Sequence, residues 1–390
     1  MRTTLLNFGL LISGAMHAQW TLVPSGTSTQ LEAVHMIDAQ TTLSSGKDGV
    51  LVRSLNGGNT WSPLVSGYGD DINSIMQLAP LDFILFADGG VVIRSTDGGN
   101  TWLPGATATT SELVSAARVS GLIITVGEDG AIVRSGSAGA TWSSMQSGTQ
   151  SDLQAVWALD ANTWKVVGKD GTCLSSTDGG FNWNPFSVPA STDLNDITFL
   201  SSQIGLICGD EGVILRSTDG GGVWSAVASG TGNELNALWS VSATEAYACG
   251  AGGTVLKTMD SGLTWMPMTT STTAVLRDIV VSSGSGFAVG ALGTIIRLGP
   301  STTGLNESDL AFGVSLSPVP TNEEVTLTVI DARLKNVLTA EVIDGKGAVV
   351  MGTGLIGDTA RFAGLPAGSY VLRLNRDGKA VHMRRFIVAR

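Results

Sequence analysis

Charge is scarce in this sequence. Only 14% of the 390 residues are Asp, Glu, Lys or Arg, and 33 acidic against 22 basic residues leave a formal net charge of −11. Such a chain repels nucleic acid and anionic membrane, and no basic stripe offsets the balance. Cysteine is also rare. Cys173, Cys208 and Cys249 form an odd set that supports neither a disulfide framework nor a zinc site. Cys208 and Cys249 each stand just before a glycine in neighbouring repeats, as small buried hydrophobes do. The histidines (His17, His35 and His382) are too few and scattered for a metal cluster. Beyond the first residues no stretch of about 18 continuous apolar residues occurs, so no transmembrane helix is expected.

The N-terminus reads as a leader. Met1 to Thr4 is a short positive start, and Leu5 to Ala15 is apolar but too short to span a bilayer. Ala18–Gln19 is the expected cleavage point, with Met16 larger than the usual small residue at its place. Residues 1–18 are therefore assigned to a signal peptide. No Cys stands near the cut, which speaks against an N-terminal lipid anchor.

What is abundant points to β-structure. Hydrophobic residues make up 43% and Gly contributes 51, a composition that suits short strands joined by tight turns. Tryptophan then exposes a repeat. Trp20, Trp61, Trp102, Trp142, Trp183, Trp224 and Trp265 are separated by 41, 41, 40, 41, 41 and 41 residues. Ser95 to Trp102 reads S-x-D-x-G-x-T-W. The same box keeps Asp178, Asp219 and Asp260, has Asn56 in place of Asp, and degenerates to Ser137 in one unit. Upstream, each unit opens on an apolar residue: Leu31, Ile72, Leu113, Leu153, Leu194, Leu235 or Leu276. A Gly-flanked turn such as Gly46–Gly49 or Gly168–Gly171 and a β-branched strand follow. About four strands in a period of about 41 is propeller arithmetic. The unit starting at Leu276 lacks a box, and Gln19 to Val23 supplies its missing outer strand from the other end of the chain. The expected fold is all-β: a seven-bladed β-propeller of four-stranded blades over residues 19–298, then a linker at 299–311.

This region resembles the Asp-box propellers, and among them the photosystem II assembly-factor type of seven-bladed repeat. The resemblance implies that Asp97, Asp178, Asp219 and Asp260 tie hairpin turns and that the seven tryptophans pack between sheets, both structural roles. In that family an arginine surface is implicated in partner binding.

Residues 312–390 depart from the repeat. Val325–Val329, Ala340–Ile343, Tyr370–Leu374 and Phe386–Val388 read as strands, with turns at Asp344–Gly347 and Leu365–Gly368. Pro318-Val319-Pro320, the Leu365-to-Tyr370 stretch and the basic finish at Arg384-Arg385 are similar, in this order, to the C-terminal sorting domain of the Bacteroidetes type IX secretion system, although Val319 departs from its Pro-Asn-Pro start. That resemblance implies a small β-sandwich, secretion machinery as a partner, and a secreted or outer-membrane surface location.

Little here suggests catalysis. Sialidase-like propellers use a Tyr nucleophile with an arginine cluster. The only tyrosines are Tyr68, Tyr247 and Tyr370, the last outside the repeat. No enzyme activity, cofactor or metal is expected. Two rings follow from repeat symmetry. Arg53, Arg94, Arg134, Arg216, Lys257 and Arg297 precede the boxes, with Ser175 breaking the series. They serve either to brace their blades or to bind a partner through paired hydrogen bonds. Asp48, Asp88, Asp129, Asp170 and Glu211 lie in the Gly-flanked turns, either as local turn residues or as a site for a cation or basic partner. These turns and the boxes should lie at opposite ends of the blades. Trp157 and Trp239 recur at one inner-strand position, with Trp164 apart from them, as core filling or as a sugar platform. The expected function is a secreted or surface-anchored module binding protein or glycan, with a carbohydrate-active propeller as the alternative.

Overall fold

The computed structural model describes residues 20–282, 284–299, 314–317, 324–329, 338–344, 348–354, 359–363, 365–376 and 379–388. The chain divides into two compact units between Ser301 and Thr302. The leader, most of the linker and Pro318-Val319-Pro320 lie outside the described residues.

The first unit is a seven-bladed β-propeller of four-stranded antiparallel sheets. In blade 1, Leu31–Met36, Thr42–Gly46, Val50–Ser54 and Ser62–Val65 pair in sequence. Blades 2 to 6 repeat this order, their innermost strands opening at Ile72, Leu113, Leu153, Leu194 and Leu235. Blade 7 is built from Leu276–Ser282, Ser285–Gly290 and Thr294–Leu298, with Trp20–Val23 as its outer strand. The inner strands touch in succession, and that of blade 7 touches that of blade 1.

Closure is well fastened. Trp20 to Val23 run antiparallel to Leu298 to Ile295. The amide of Trp20 also donates to the carbonyl of Thr269 at 3.1 Å, Ser271 N–H donates to the carbonyl of Trp20 at 3.1 Å, and Leu22 N–H donates to Ser271 Oγ at 2.7 Å. The closing strand thus grips the tail of blade 6 as well as blade 7. Trp20 is fully buried, its ring edge-on to Tyr247 at 6.2 Å.

Each blade interface holds its own hydrophobic cluster. Between blades 1 and 2, Trp102 packs with Leu43, Leu51, Phe83 and Ile93. Between blades 7 and 1, Trp61 packs with Phe287 and Val280. Every box tryptophan therefore belongs to a seam, which is why one indole per period suffices. The box itself is a hydrogen-bonded knot. Asp97 Oδ1 accepts the amides of Asn100 and Thr101 at 3.0 and 2.9 Å, Oδ2 accepts the Thr101 hydroxyl at 2.6 Å, and Ser95 Oγ accepts the amide of Gly99 at 2.8 Å. Ser137, in the degenerate box, still accepts the amide of Thr141 at 2.9 Å.

A second local device sits at the other end of the blades. The turn joining strands two and three ends in a glycine in all seven blades: Gly49, Gly90, Gly130, Gly171, Gly212, Gly253 and Gly293, with φ between +67° and +72°. A Cβ there would meet the carbonyl of the following loop at 2.0–2.7 Å. In several blades a hydroxyl leaving the outer strand donates back to that glycine's carbonyl, as Ser66 to Gly49 at 2.9 Å and Thr270 to Gly253 at 2.8 Å.

Two inner-strand aspartates cross blade seams. Asp196 Oδ2 accepts the amide of Leu238 at 2.7 Å, and Asp278 Oδ2 accepts the amide of Val34 at 2.8 Å. Burial pushes their carboxyls up to about 7 and about 6, against the pull of those amides. The box aspartates move oppositely: hydrogen bonds from Asn182 and Thr264 hold Asp178 and Asp260 down at about 2. Raised carboxyls bind more protons in the folded state, so their effect lowers stability as pH climbs from about 4 through 6 and 7. Lowered carboxyls lose their contribution as pH falls below the unfolded value near 4. Thermal melting should therefore peak at about pH 4 to 5, with Tm roughly 5–10 °C lower at pH 8 than at pH 5. A melting series in which Tm rises from pH 5 to pH 8 would contradict the assignment.

The second unit contains two antiparallel sheets. Val314–Ser317, Glu324–Val329 and Thr359–Ala363 form one, in that order. Val349–Gly354, Leu338–Ile343, Gly368–Arg376 and Lys379–Val388 form the other. Ala340, Val342, Phe362, Tyr370 and Leu372 are buried, the Tyr370 hydroxyl donates to the carbonyl of Pro366 at 2.9 Å, and Arg373 pairs with Glu341 at 2.6 Å.

Candidate functional site

The connections between strands two and three gather at one mouth of the ring channel, opposite the boxes. The mouth encloses about 450 Å³ and is walled by polar side chains, among them Glu32, Glu112, Asp193, Asp210 and Glu234, with Lys47, Lys169 and Arg277 as its cations. These cations are engaged. Lys47 pairs with Asp71 at 2.7 Å, Lys169 with Asp152 at 2.6 Å, and Arg277 lies 3.5 Å from Glu234.

One member of the expected acidic turn ring is out of register. Asp48, Asp129, Asp170 and Glu211 hold the second turn position, with φ of +53° to +56°, whereas Asp88 holds the first and Gly89 takes the second. That position is left-handed, which suits Asp and Gly, although Glu211 and Leu292 also occupy it. A more continuous acidic series opens the blades at the same end. Asp71, Glu112, Asp152, Asp193 and Glu234 each precede the apolar residue that opens a blade. Asp71, Asp152 and Asp193 accept the amides of Asp48, Asp129 and Asp170 in the preceding blade at 2.9–3.0 Å. Glu112 instead accepts from Asn73 at 3.2 Å, and burial with repulsion from Asp88, Glu128 and Asp71 pushes its carboxyl up to about 7. The mouth is thus a place of crowded negative charge, where bringing in a cation relieves repulsion.

The basic ring lies at the box end and links blades. Arg53 Nη1 donates to the carbonyl of Gly98 at 3.3 Å, Arg94 Nη1 to Ala138 at 3.4 Å, Arg134 Nε to Gly179 at 2.8 Å and Arg216 Nε to Ser261 at 2.7 Å. Each acceptor follows the Asp position of the next blade's box. Arg297 reaches Asn59 Oδ1 in blade 1 at 2.8 Å. Lys257 stays within blade 6, paired with Glu245 at 2.8 Å. Arg94 also clasps Asp82 through two bonds of 3.0 and 2.7 Å.

Blade 4, with Ser175, fills the gap from elsewhere. Lys165 is the cross-strand partner of Ser175. Its buried ammonium donates to the carbonyl of Gly221 in the next box at 3.1 Å and lies 4.4 Å from the centre of the Phe186 ring. Burial lowers its pKa from the ordinary lysine value. Only strand pairing reveals this substitution; no spacing along the chain does.

Cys173, Cys208 and Cys249 are buried free thiols. Trp164 is fully buried and donates to the carbonyl of Ala161 at 3.2 Å. Trp239 donates to the carbonyl of Val281 at 2.7 Å, and Trp157 stacks on Phe199 with ring centres 6.5 Å apart. Among the described residues no group of three or more His, Cys, Asp or Glu is arranged to hold a metal ion, and no helix is long and apolar enough to cross a membrane.

Ring, box and strand order together define a β-propeller of BNR-type repeats. Residues 137–232, in blades 3 to 5, match the family model of the photosynthesis system II assembly factor YCF48. Among solved structures, the chain is similar to YCF48 bound to D1 peptide, at 19% identity over 74% of this chain and 99% of that one, with a TM-score of 0.62. YCF48 from Cyanidioschyzon merolae follows at 18% identity, 73% and 99% coverage, and a TM-score of 0.59. The WD40 propeller domain of Doa1 gives 12%, 75%, 99% and 0.61. At such identities the likeness speaks for the fold. No curated protein matches the sequence.

Proposed function

We propose that this chain is a non-catalytic protein-binding propeller that receives a cationic stretch of another polypeptide at the acidic mouth of its channel. The carrying observation is the crowding of Glu112 with Asp193, Asp210 and Glu234 on one solvent-reached wall, where burial first and then repulsion from Asp88, Glu128 and Asp71 push the Glu112 carboxyl up to about 7. A lysine or arginine side chain arriving there stabilises charges that the fold alone leaves in conflict. The solved YCF48 propeller with a D1 peptide supports a peptide as the ligand class. The basic ring enters this reading as inter-blade struts, because its donors meet carbonyls of the next box.

The test is calorimetric titration with an oligolysine peptide. Binding should weaken about tenfold or more between low salt and about 0.2 M salt. Glu112→Gln should weaken it similarly while leaving Tm unchanged or higher, since it removes a destabilising charge. Equal affinity for an oligoglutamate peptide would sink the reading.

Export through a type IX pathway to the cell surface or medium is proposed alongside. It is supported by the leader composition of residues 1–18 and by the motif order from Pro318 to Arg385. Deleting residues 302–390 should leave the chain in the periplasm of a host carrying that machinery. Surface display of the truncated chain would count against it.

A further inference from the structure

The box-side end of the channel holds a second cavity, of about 290 Å³, bordered by the inner strands of blades 1 to 4. Its origin is legible in the repeat. The fifth residue of the inner strand is His35, Met76, Ala117, Trp157, Thr198, Trp239 or Val280 in successive blades. Blade 3 alone places alanine there, preceded by Ala116. The missing side chain leaves space between Met76 and Trp157, both on the cavity wall. Trp157 is steadied from blade 5 by its stack on Phe199. The wall is therefore a fixed aromatic ring facing small and apolar neighbours, which is how small-ligand pockets are commonly built.

Its polar groups are few and of one kind of charge. His35 shares a hydrogen bond of 3.2 Å with Gln77, and burial lowers its pKa, so the ring is neutral near pH 7. Arg118 is exposed, donates one Nη1 bond to the carbonyl of Leu78 at 2.8 Å, and has no carboxylate within ion-pair distance among the described residues. No Asp or Glu borders the cavity, although the chain carries 33 of them. An apolar niche with a single open guanidinium on its rim selects an apolar body bearing one negative charge.

We propose that this cavity binds a small carboxylate with an aromatic or branched apolar body, the body against Trp157 and Met76 and the carboxylate on Arg118. The site is at the opposite mouth from the peptide site and stands independently of it. The same chemistry is offered by a free aryl acid and by the last residue of a peptide, so both belong in the test. The full chain is titrated with 3-phenylpropionate, its amide, and a tripeptide ending in phenylalanine with a free or an amidated terminus, read by calorimetry and saturation-transfer NMR. At least one acid should bind, and the matching amide should bind about tenfold or more weakly. Preference for the free acid or for the tripeptide identifies the source. Arg118→Gln should lose about tenfold in affinity. Ala117→Met, which copies blade 2, should abolish binding with Tm unchanged. The proposal is overturned if neither acid binds, if acid and amide bind equally, or if Arg118→Gln leaves affinity intact.

Discussion

A chain that begins at Pro24 is expected to melt at least 10 °C below the intact protein and to aggregate on heating. The loss has two sources. Trp20 leaves a fully buried place beside Tyr247, and removing a large core aromatic costs about 3–5 kcal/mol. Thr294–Leu298 then becomes an open edge carrying the buried Ile295 and Ile296, a template for pairing with other chains. At roughly 2–4 °C per kcal/mol for a domain of this size, the aromatic term alone accounts for most of the shift. Trp20→Ala should show the first effect without the second: a lower Tm but a molecule that stays monomeric. Calorimetry with light scattering separates the two, and an unchanged Tm in the truncated chain would refute the closure.

The other large effect concerns a turn glycine. Gly253→Ala is expected to cost about 3 kcal/mol or more, because its Cβ would stand 2.0 Å from the carbonyl of Thr272 at a φ of +68°. Gly148→Ala provides the comparison. That residue has φ of +80° but nothing within 4 Å of the added carbon, so it should cost only the left-handed backbone term of about 1–2 kcal/mol. Chemical denaturation of the two variants decides between clash and strain. Equal losses would mean that the close approach of the loop carbonyl has no energetic weight.

Much of the architecture was readable from one residue type. The box tryptophans are evenly spaced because each fills one seam, so their period counts blades directly. The closing strand was readable because blade 7 lacks a box while Trp20 has no blade before it. The site was less readable, for reasons of geometry. Arg53, Arg94, Arg134 and Arg216 bond to the next blade, and a linear sequence shows only what precedes and follows within one blade. Lys165 replaces an absent arginine from a neighbouring strand, which only the register with Ser175 displays. Asp71, Glu112, Asp152, Asp193 and Glu234 are about 41 residues apart and look like isolated surface acids until the ring draws them to one mouth. Asp88 falls out of register because a turn holding two acids in some blades and one in others offers two alignments. Asp196 and Asp278 resemble any strand aspartate; only the closed ring brings the amides of Leu238 and Val34 to them from another blade.

The ring and both of its mouths depend on the N-terminal strand being a working part of blade 7. Hydrogen exchange at the amides of Trp20 and Leu22 examines this most directly, since their partners Thr269 and Ser271 lie at the far end of the repeat array. Protection as strong as that of the inner strands, lost only on global unfolding, is expected. Exchange at the rate of a frayed terminus, with the rest of the propeller still protected, would contradict it.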